Sequence, residues 1–402
     1  MNGRQAEEYL LGLELFGMRF GLDRMHKLMT VLGLPQRRFA SIHVVGTNGK
    51  SSTVRFCAAI VERHGLRTGS YTSPHLRSFR ERIEVGEEPI SEADFGAAVT
   101  RAAHAAELVN RTADPDDHVT QFEALTAAAY SELARRRVEV AVIEAGLGGR
   151  FDATNVIPSK VQVLTNVGLE HTRWLGPTVE DIAEEKLAVV RDHATLVIPP
   201  ALDPDVEAVA ERAPAGRIRA APVSGGFQEA NFALAEAAAE AFLERGLDPD
   251  LVAAARRTRV PGRMDVVAHH PLTIYDGAHN PSGAAALARA LPEALGERRQ
   301  RLGVVSILED KDAAGMLREL LPAFDRFVFT RCANPRALSP ATLETLADKL
   351  SGPPTETVAD PRAAVERARS LAAPAGAVVA TGSIYLVADL VREEGDARAS
   401  TL

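Results

Sequence analysis

At 402 residues the chain exceeds what one hydrophobic core usually supports, and two domains are expected. Its 46% hydrophobic and 25% charged residues are those of an ordinary globular protein and exclude a disordered or fibrous one. A formal net charge of -8 is the wrong sign for a protein that lives on nucleic acid or an anionic membrane, so any phosphate it binds must be held locally.

The opening stretch MNGRQAEEYLLGLELFGMRF lacks the basic start, apolar block and small-residue cleavage site of a secretory leader. With no run of about 18 apolar residues in the chain, a cytoplasmic protein is expected. Residues 42–45 read as a first strand. The helix after them carries Val54, Phe56, Cys57, Ile60 and Val61 on its apolar side and should stop at Gly65, a natural C-cap. Further strands are expected at 138–143, 161–167 and 196–198. Apolar, β-branched runs that alternate with amphipathic helices argue for a parallel sheet with crossover helices.

A different rhythm starts at RVPGRMDVV, where Pro261 and Gly262 interrupt an Ala- and Arg-rich helix and a strand begins near Met264. The domain boundary is placed close to Val267, giving domains 1–267 and 268–402. In the second, strands are expected at 272–275, 302–307, 327–329, 356–358 and 378–380, with helices starting near Pro281, Asp312, Pro340 and Pro361. The fold class is α/β: an N-terminal mononucleotide-binding domain of P-loop type on a parallel sheet, then a smaller Rossmann-like α/β domain. Cys57 and Cys332 are expected to be buried reduced thiols. The tail REEGDARASTL, charged and without periodicity, is expected to fray.

Chemistry concentrates around SIHVVGTNGKSST. The full P-loop pattern needs a glycine where Val44 stands, so only the shorter Gly46-Thr47-Asn48-Gly49-Lys50-Ser51 remains. A strand end, a Gly-containing turn and a helix N-terminus still aim N–H groups and the helix dipole at an anion. Lys50 supplies mobile positive charge, and Ser51 or Ser52 a hydroxyl. Mg²⁺ on a bound triphosphate needs carboxylate or hydroxyl oxygens near the strand ends, and Glu144 follows the apolar run VEVAVI. His171 and Lys186 come from TNVGLEHTRWLGPTVEDIAEEKLAVV, where Thr178 and Asp181 form a capping pattern.

The blocks GTNGKSS, TSPHLRSFRERI, TQFEALTAAAY, EAGLGGRFDATNV, EHTRWLG, PGRMDVV, YDGAHNPSGA and TGSIYLV, with FGMRFGLDRM before them, resemble the folylpolyglutamate synthase and dihydrofolate synthase family of the Mur ligases. The resemblance implies ATP-dependent ligation of L-glutamate to a dihydropteroate or folate polyglutamate carboxylate through an acyl phosphate. A Mur-type amino-acid ligase acting on another carboxylate is the alternative. Thr47, Asn48, Gly49, Lys50 and Ser51 would wrap the ATP phosphates. Ser73 and Glu144 would hold a first Mg²⁺ and His171 a second, and Lys186 would be carbamylated beside them. Asn231, Arg263 and Asp276 look like the remaining ATP contacts, and His279 would face the reacting phosphate. The pterin would meet Gly21, Leu22 and Asp23, then Thr120, Gln121, Phe122 and Glu123, and finally Phe151, Asp152 and Ala153. Neither nucleic acid nor membrane is an expected partner, and a monomer is expected.

This chain departs from the family pattern in four places. Ser51 replaces the usual glycine, LAVV follows Lys186 where Ala-Gly-Ile is usual, and Phe227 stands where His is common. The connector 201–226 is also shorter than usual.

Overall fold

The computed structural model describes residues 1–14, 21–114, 117–223, 225–298 and 300–393; the expectations for 16–20 and for the tail from 394 lie outside them. The chain divides into two compact units, Met1–Pro74 with Phe79–Thr258, and His75–Ser78 with Arg259 onward. The PGRMD turn is tied to the first strand of the second unit. Arg259 grips the buried Asp265 through two hydrogen bonds of 2.7 and 3.0 Å, and Asp265 also accepts from the Gly262 amide.

In the first unit the strands are β1 (Ala40–Val45), β2 (Thr68–Tyr71), β3 (Ile83–Val85), β4 (Glu88–Pro89), β5 (Val140–Glu144), β6 (Val161–Leu164), β7 (Thr195–Ile198) and β8 (Arg217–Ala220). They form one sheet in the order β4-β3-β2-β5-β1-β6-β7-β8. β1 lies between two parallel neighbours, β5 and β6, and every residue of it after Ala40 is buried, the polar Ser41 and His43 included. The expected parallel sheet carries an antiparallel edge, where β3 runs antiparallel to β2 and to β4. Gly86 and Glu87, both with φ near +65°, make the two-residue turn between β3 and β4 that such a hairpin needs.

The phosphate-loop helix, Lys50–Arg63, ends as expected just before Gly65, whose φ of 92° suits a residue without a side chain. It packs on helix Phe227–Leu243, with Phe56 edge-on to Phe232 at 5.2 Å. Cys57 is buried in this layer, which pushes its thiol up to about 12.

The second unit holds β9 (Asp265–His269), β10 (Leu272–Tyr275), β11 (Arg301–Val305), β12 (Arg326–Phe329), β13 (Thr355–Thr357) and β14 (Ala377–Thr381), in the order β13-β12-β11-β14-β10-β9. The sheet is parallel as expected, with β9 alone among them antiparallel at its edge. Neighbouring residues of one strand enter different cores: Val305, Phe327, Phe329 and Val379 one, Val304, Val328, Val378 and Ala380 the other. A sheet sandwiched between helices requires that pattern. Helices start at Pro281, Ala313, Pro340 and Pro361, each capped by the side chain of the preceding Asn280, Asp312, Ser339 or Asp360.

A buried polar knot crosses the first sheet. His43 of β1 meets the hydroxyl of Thr154 through Nε2 at 2.8 Å, Thr154 also bonds Asp152, and Tyr130 donates to the Thr154 carbonyl at 3.0 Å. Burial first, and Arg191 second, lower the pKa of His43 from 6.5 to about 3. The folded state therefore refuses a proton that the unfolded chain accepts. The stability involved is present above pH 6.5 and is lost as pH falls toward 3, about 2 kcal/mol of it between pH 7 and 5. His43→Gln should flatten that part of the acid-side loss in denaturant titrations at the two pH values; an unchanged pH dependence would reject the assignment.

Candidate active site

Lys50 begins its helix where β1 runs out. Gly46 has φ 149° and Gly49 φ 83°, so the loop bends in two places that L side chains avoid. Space forbids a side chain too: a Cβ on Gly46 would lie 1.9 Å from Thr165 Oγ1, and one on Gly49 2.3 Å from Asn231 Oδ1. Asn231 of helix Phe227–Leu243 thus lies against the loop, its amide donating to Gln228 Oε1 at 3.0 Å.

Two lysines converge on one carbonyl. Lys50 Nζ donates to Gly46 O and Thr47 O at 3.0 Å each, and Lys186 Nζ donates to Gly46 O at 2.9 Å. Lys186 sits in helix Val179–Leu187, which opens with the expected Thr178/Asp181 capping box. It is buried, and burial first, then the Lys50 charge, lower its pKa to about 7 against opposing pulls from Glu170 and Asp152.

Glu144, the last residue of β5, accepts the Ser51 hydroxyl at 3.1 Å and the Ser73 amide at 3.1 Å. The sequence places it just beyond the strand. As the terminal strand residue it is instead held by β1 pairing, in register with Val44. His171 has φ 54° at the head of the short helix Thr172–Leu175, with Nε2 3.9 Å from Glu170 Oε1.

Among the described residues no three His, Cys, Asp or Glu side chains form a metal-holding group. Mg²⁺ takes one or two carboxylates and completes its shell with hydroxyl, water and phosphate oxygens, so it needs no such group. Glu144, a lone carboxylate that accepts the Ser51 hydroxyl and the Ser73 amide, has the character of a Mg²⁺ ligand. Glu144→Gln and His171→Ala are each expected to raise the Mg²⁺ concentration needed for half-maximal activity. Unchanged metal titrations in both variants would count against the placement.

The residues matched to the pterin are largely engaged within the fold. Thr120 and Glu123 form the capping box of helix Gln121–Arg135, and Glu123 also takes the buried Arg24 at 3.0 and 3.1 Å. Gln121 donates to Leu10 O at 2.8 Å. The buried carboxylate of Asp152 accepts from the Leu147 amide and from the amide and hydroxyl of Thr154; burial raises its pKa, and the Thr154 bond opposes this most. Phe122 leans on Tyr71 at 6.1 Å and borders Gly146. Phe151 is exposed and Ala153 buried. Gly21, with φ 141°, and Leu22 lead into helix Asp23–Val31, whose first residue is exposed.

In the second unit Asp276 follows β10 and accepts the amides of Met264 and Ala278, each at 2.9 Å. Burial raises its pKa, and Arg263 opposes this most. Arg263 lies across Gly277, where a Cβ would meet its Nη1 at 2.1 Å. His279 Nδ1 is 2.9 Å from Gly277 O.

Sequence reasoning misses Thr165, Asn166 and Glu170. Residues 165–167 read as strand, but β6 ends at Leu164, and Thr165 and Asn166 turn toward the phosphate loop. The signal for Glu170 is its place directly before His171, whose Nε2 lies 3.9 Å from its carboxylate.

Residues 44–240 match the Mur ligase middle domain and residues 262–384 the Mur ligase glutamate ligase domain. The domain matches place this chain among the ATP-dependent ligases of the Mur class. A dihydrofolate synthase/folylpolyglutamate synthase of Mycobacterium tuberculosis is 35% identical over 407 residues, covering 89% of this chain and 83% of the relative. The chain belongs to the folylpolyglutamate synthase/dihydrofolate synthase family. Among solved structures, a Mycobacterium tuberculosis folylpolyglutamate synthase complexed with ADP superposes with TM-score 0.88 at 34% identity, covering 96% of both chains. A bifunctional folylpolyglutamate synthase/dihydrofolate synthase with Mn, AMPPNP and L-glutamate bound gives 0.83 at 29%, covering 96% of this chain and 97% of that one. Both of those structures hold an adenine nucleotide, and the second a divalent cation as well. No described helix is long and apolar enough to cross a membrane.

Proposed function

We propose that this enzyme joins L-glutamate to the carboxylate of a pteroate or folyl-glutamate through an acyl phosphate. The observation that carries the reading is the meeting of the Lys50 and Lys186 amines on the Gly46 carbonyl, with Glu144 bound to Ser51 one residue further on. Carboxylate and amine do not condense unaided in water. Phosphorylation gives the carboxylate a leaving group, and catalysis of such a transfer is positioning plus charge stabilisation.

In this reading the loop Thr47 to Ser51 holds the triphosphate, and Lys50 neutralises charge that develops on the transferring phosphoryl group. Asn231, Arg263 and Asp276 contact the nucleotide, and His279 faces the reacting phosphate. Ser73, Glu144 and His171 would hold the divalent cations, which supply charge neutralisation when bound. Carbamylated Lys186 would exchange an ammonium for an anionic oxygen ligand. Gly21 to Asp23, Thr120 to Glu123, and Phe151 to Ala153 shape the pterin end. There Phe122 and Phe151 offer contact, while Glu123 and Asp152 set the geometry of their segments.

A cytoplasmic location, a monomeric state and division of labour near Val267 complete the proposal; light scattering of the purified chain tests the second. ADP release is the main test, measured with dihydropteroate and with tetrahydrofolate at fixed glutamate. It should require glutamate together with at least one of the two. Release that is indifferent to both, or that tracks a nucleotide-sugar carboxylate instead, would overturn the reading.

A further inference from the structure

We propose that Asn166 is a positioning residue that preforms the phosphate loop and locks it to the segment bearing His171; this rests on the nucleotide reading above. Its main-chain oxygen accepts the Thr47 amide at 3.0 Å, its Oδ1 accepts the Asn48 amide at 2.9 Å, and its Nδ2 donates to Asn48 O at 3.2 Å. One residue therefore holds both polar ends of the Asn48 backbone. Thr165 adds a 2.6 Å bond from Oγ1 to Asn48 O, and the Thr47 hydroxyl is bonded to the amide of Gly168 at 3.0 Å. Gly46 allows this approach, since any Cβ there would collide with Thr165.

The bonds divide the loop into two sets of amides. Those of Thr47 and Asn48 are committed to Asn166. The first bond inside the helix runs from the Thr53 amide to Gly49 O, so the amides at the helix start, from Lys50 to Ser52, have no acceptor within the helix and are the set that faces an anion. Asn166 thereby decides which amides a phosphate meets. It also sits on the short connection from β6 to Glu170 and His171, so a shift of the phosphate loop moves that connection with it. Neither effect requires Asn166 to touch the nucleotide.

Removing such a support typically weakens a site about ten- to a hundredfold. Asn166→Ala should raise the ADP dissociation constant and the KM for ATP by about that factor, with the KM values for glutamate and the folate substrate unchanged. Thr165→Val, which deletes only the bond to Asn48 O and a 3.4 Å contact to Val45 O, should act in the same direction and more weakly. Thermal unfolding separates positioning from simple support: Asn166→Ala should melt near wild type without nucleotide and lose most of the stabilisation that ADP gives. A lower melting point with the ADP-induced shift intact would overturn the proposal, as would a uniform change in all three KM values. Lys50→Ala is the control for the underlying reading. If ADP affinity survives in Lys50→Ala, the phosphate-loop assignment itself fails; if it falls there but not in Asn166→Ala, only the positioning role fails.

Discussion

Lys50→Ala should lower the rate of ligation by at least about a hundredfold while leaving the fold intact, because charge that meets a transferring phosphoryl group contributes on the order of 3 kcal/mol. The fold should survive because the ammonium bonds only to the carbonyls of Gly46 and Thr47, inside its own loop. The aliphatic part of the side chain leads no core cluster, and the helix it opens is secured further along by Val54, Cys57, Ile60 and Val61, all fully buried. ADP release with saturating substrates, read beside circular dichroism, separates chemistry from folding. Turnover near wild type in a folded variant would remove Lys50 from the reaction. Lys50→Arg should recover little, since a planar guanidinium cannot replace a compact point charge between two carbonyls 3.0 Å away.

The loop, the helix behind it and the central strands are legible in the sequence because they depend on local signals: glycines, a helix N-terminus and uninterrupted apolar runs. The edges are not. TGSY forms β2 and RIRA forms β8, yet neither has an apolar run; each becomes a strand by pairing with a neighbour already in place. Candidate residues are legible where the chemistry lies in the residue type, as for Lys50 and Glu144. They are hidden where the role lies in a partner distant in sequence. Nothing in the sequence shows that Arg24, ninety-nine positions earlier, bonds the carboxylate of Glu123, and Asn166 looks like the end of a strand until it closes on Asn48.

Lys186→Ala should lose activity by about a hundredfold or more, and short-chain carboxylates should restore part of it. Helix Val179–Leu187 brings the amine to the carbonyl that Lys50 also uses, so two cationic groups share one acceptor inside a buried site. That arrangement is unfavourable for two ammonium ions. Burial first, and the Lys50 charge second, lower the pKa of Lys186 to about 7 against 10.5 in the unfolded chain. The unmodified folded protein is therefore penalised fully below pH 7, and the penalty vanishes as pH rises toward 10.5. Carbamylation would remove the conflict. The neutral amine would form an N–C bond to carbon dioxide, a proton would leave to solvent, and the new carbamate would put negative charge beside Lys50 and the proposed cation site. Native mass measurement should find the added carbon dioxide in the wild type and not in Lys186→Ala, and prolonged removal of bicarbonate should reduce both the modified fraction and the activity. Formate or acetate should rescue the alanine variant because a free carboxylate can enter the space the side chain leaves. A variant as active as wild type without added carboxylate would make Lys186 a packing residue, and the LAVV after it would then mark a real divergence from the family.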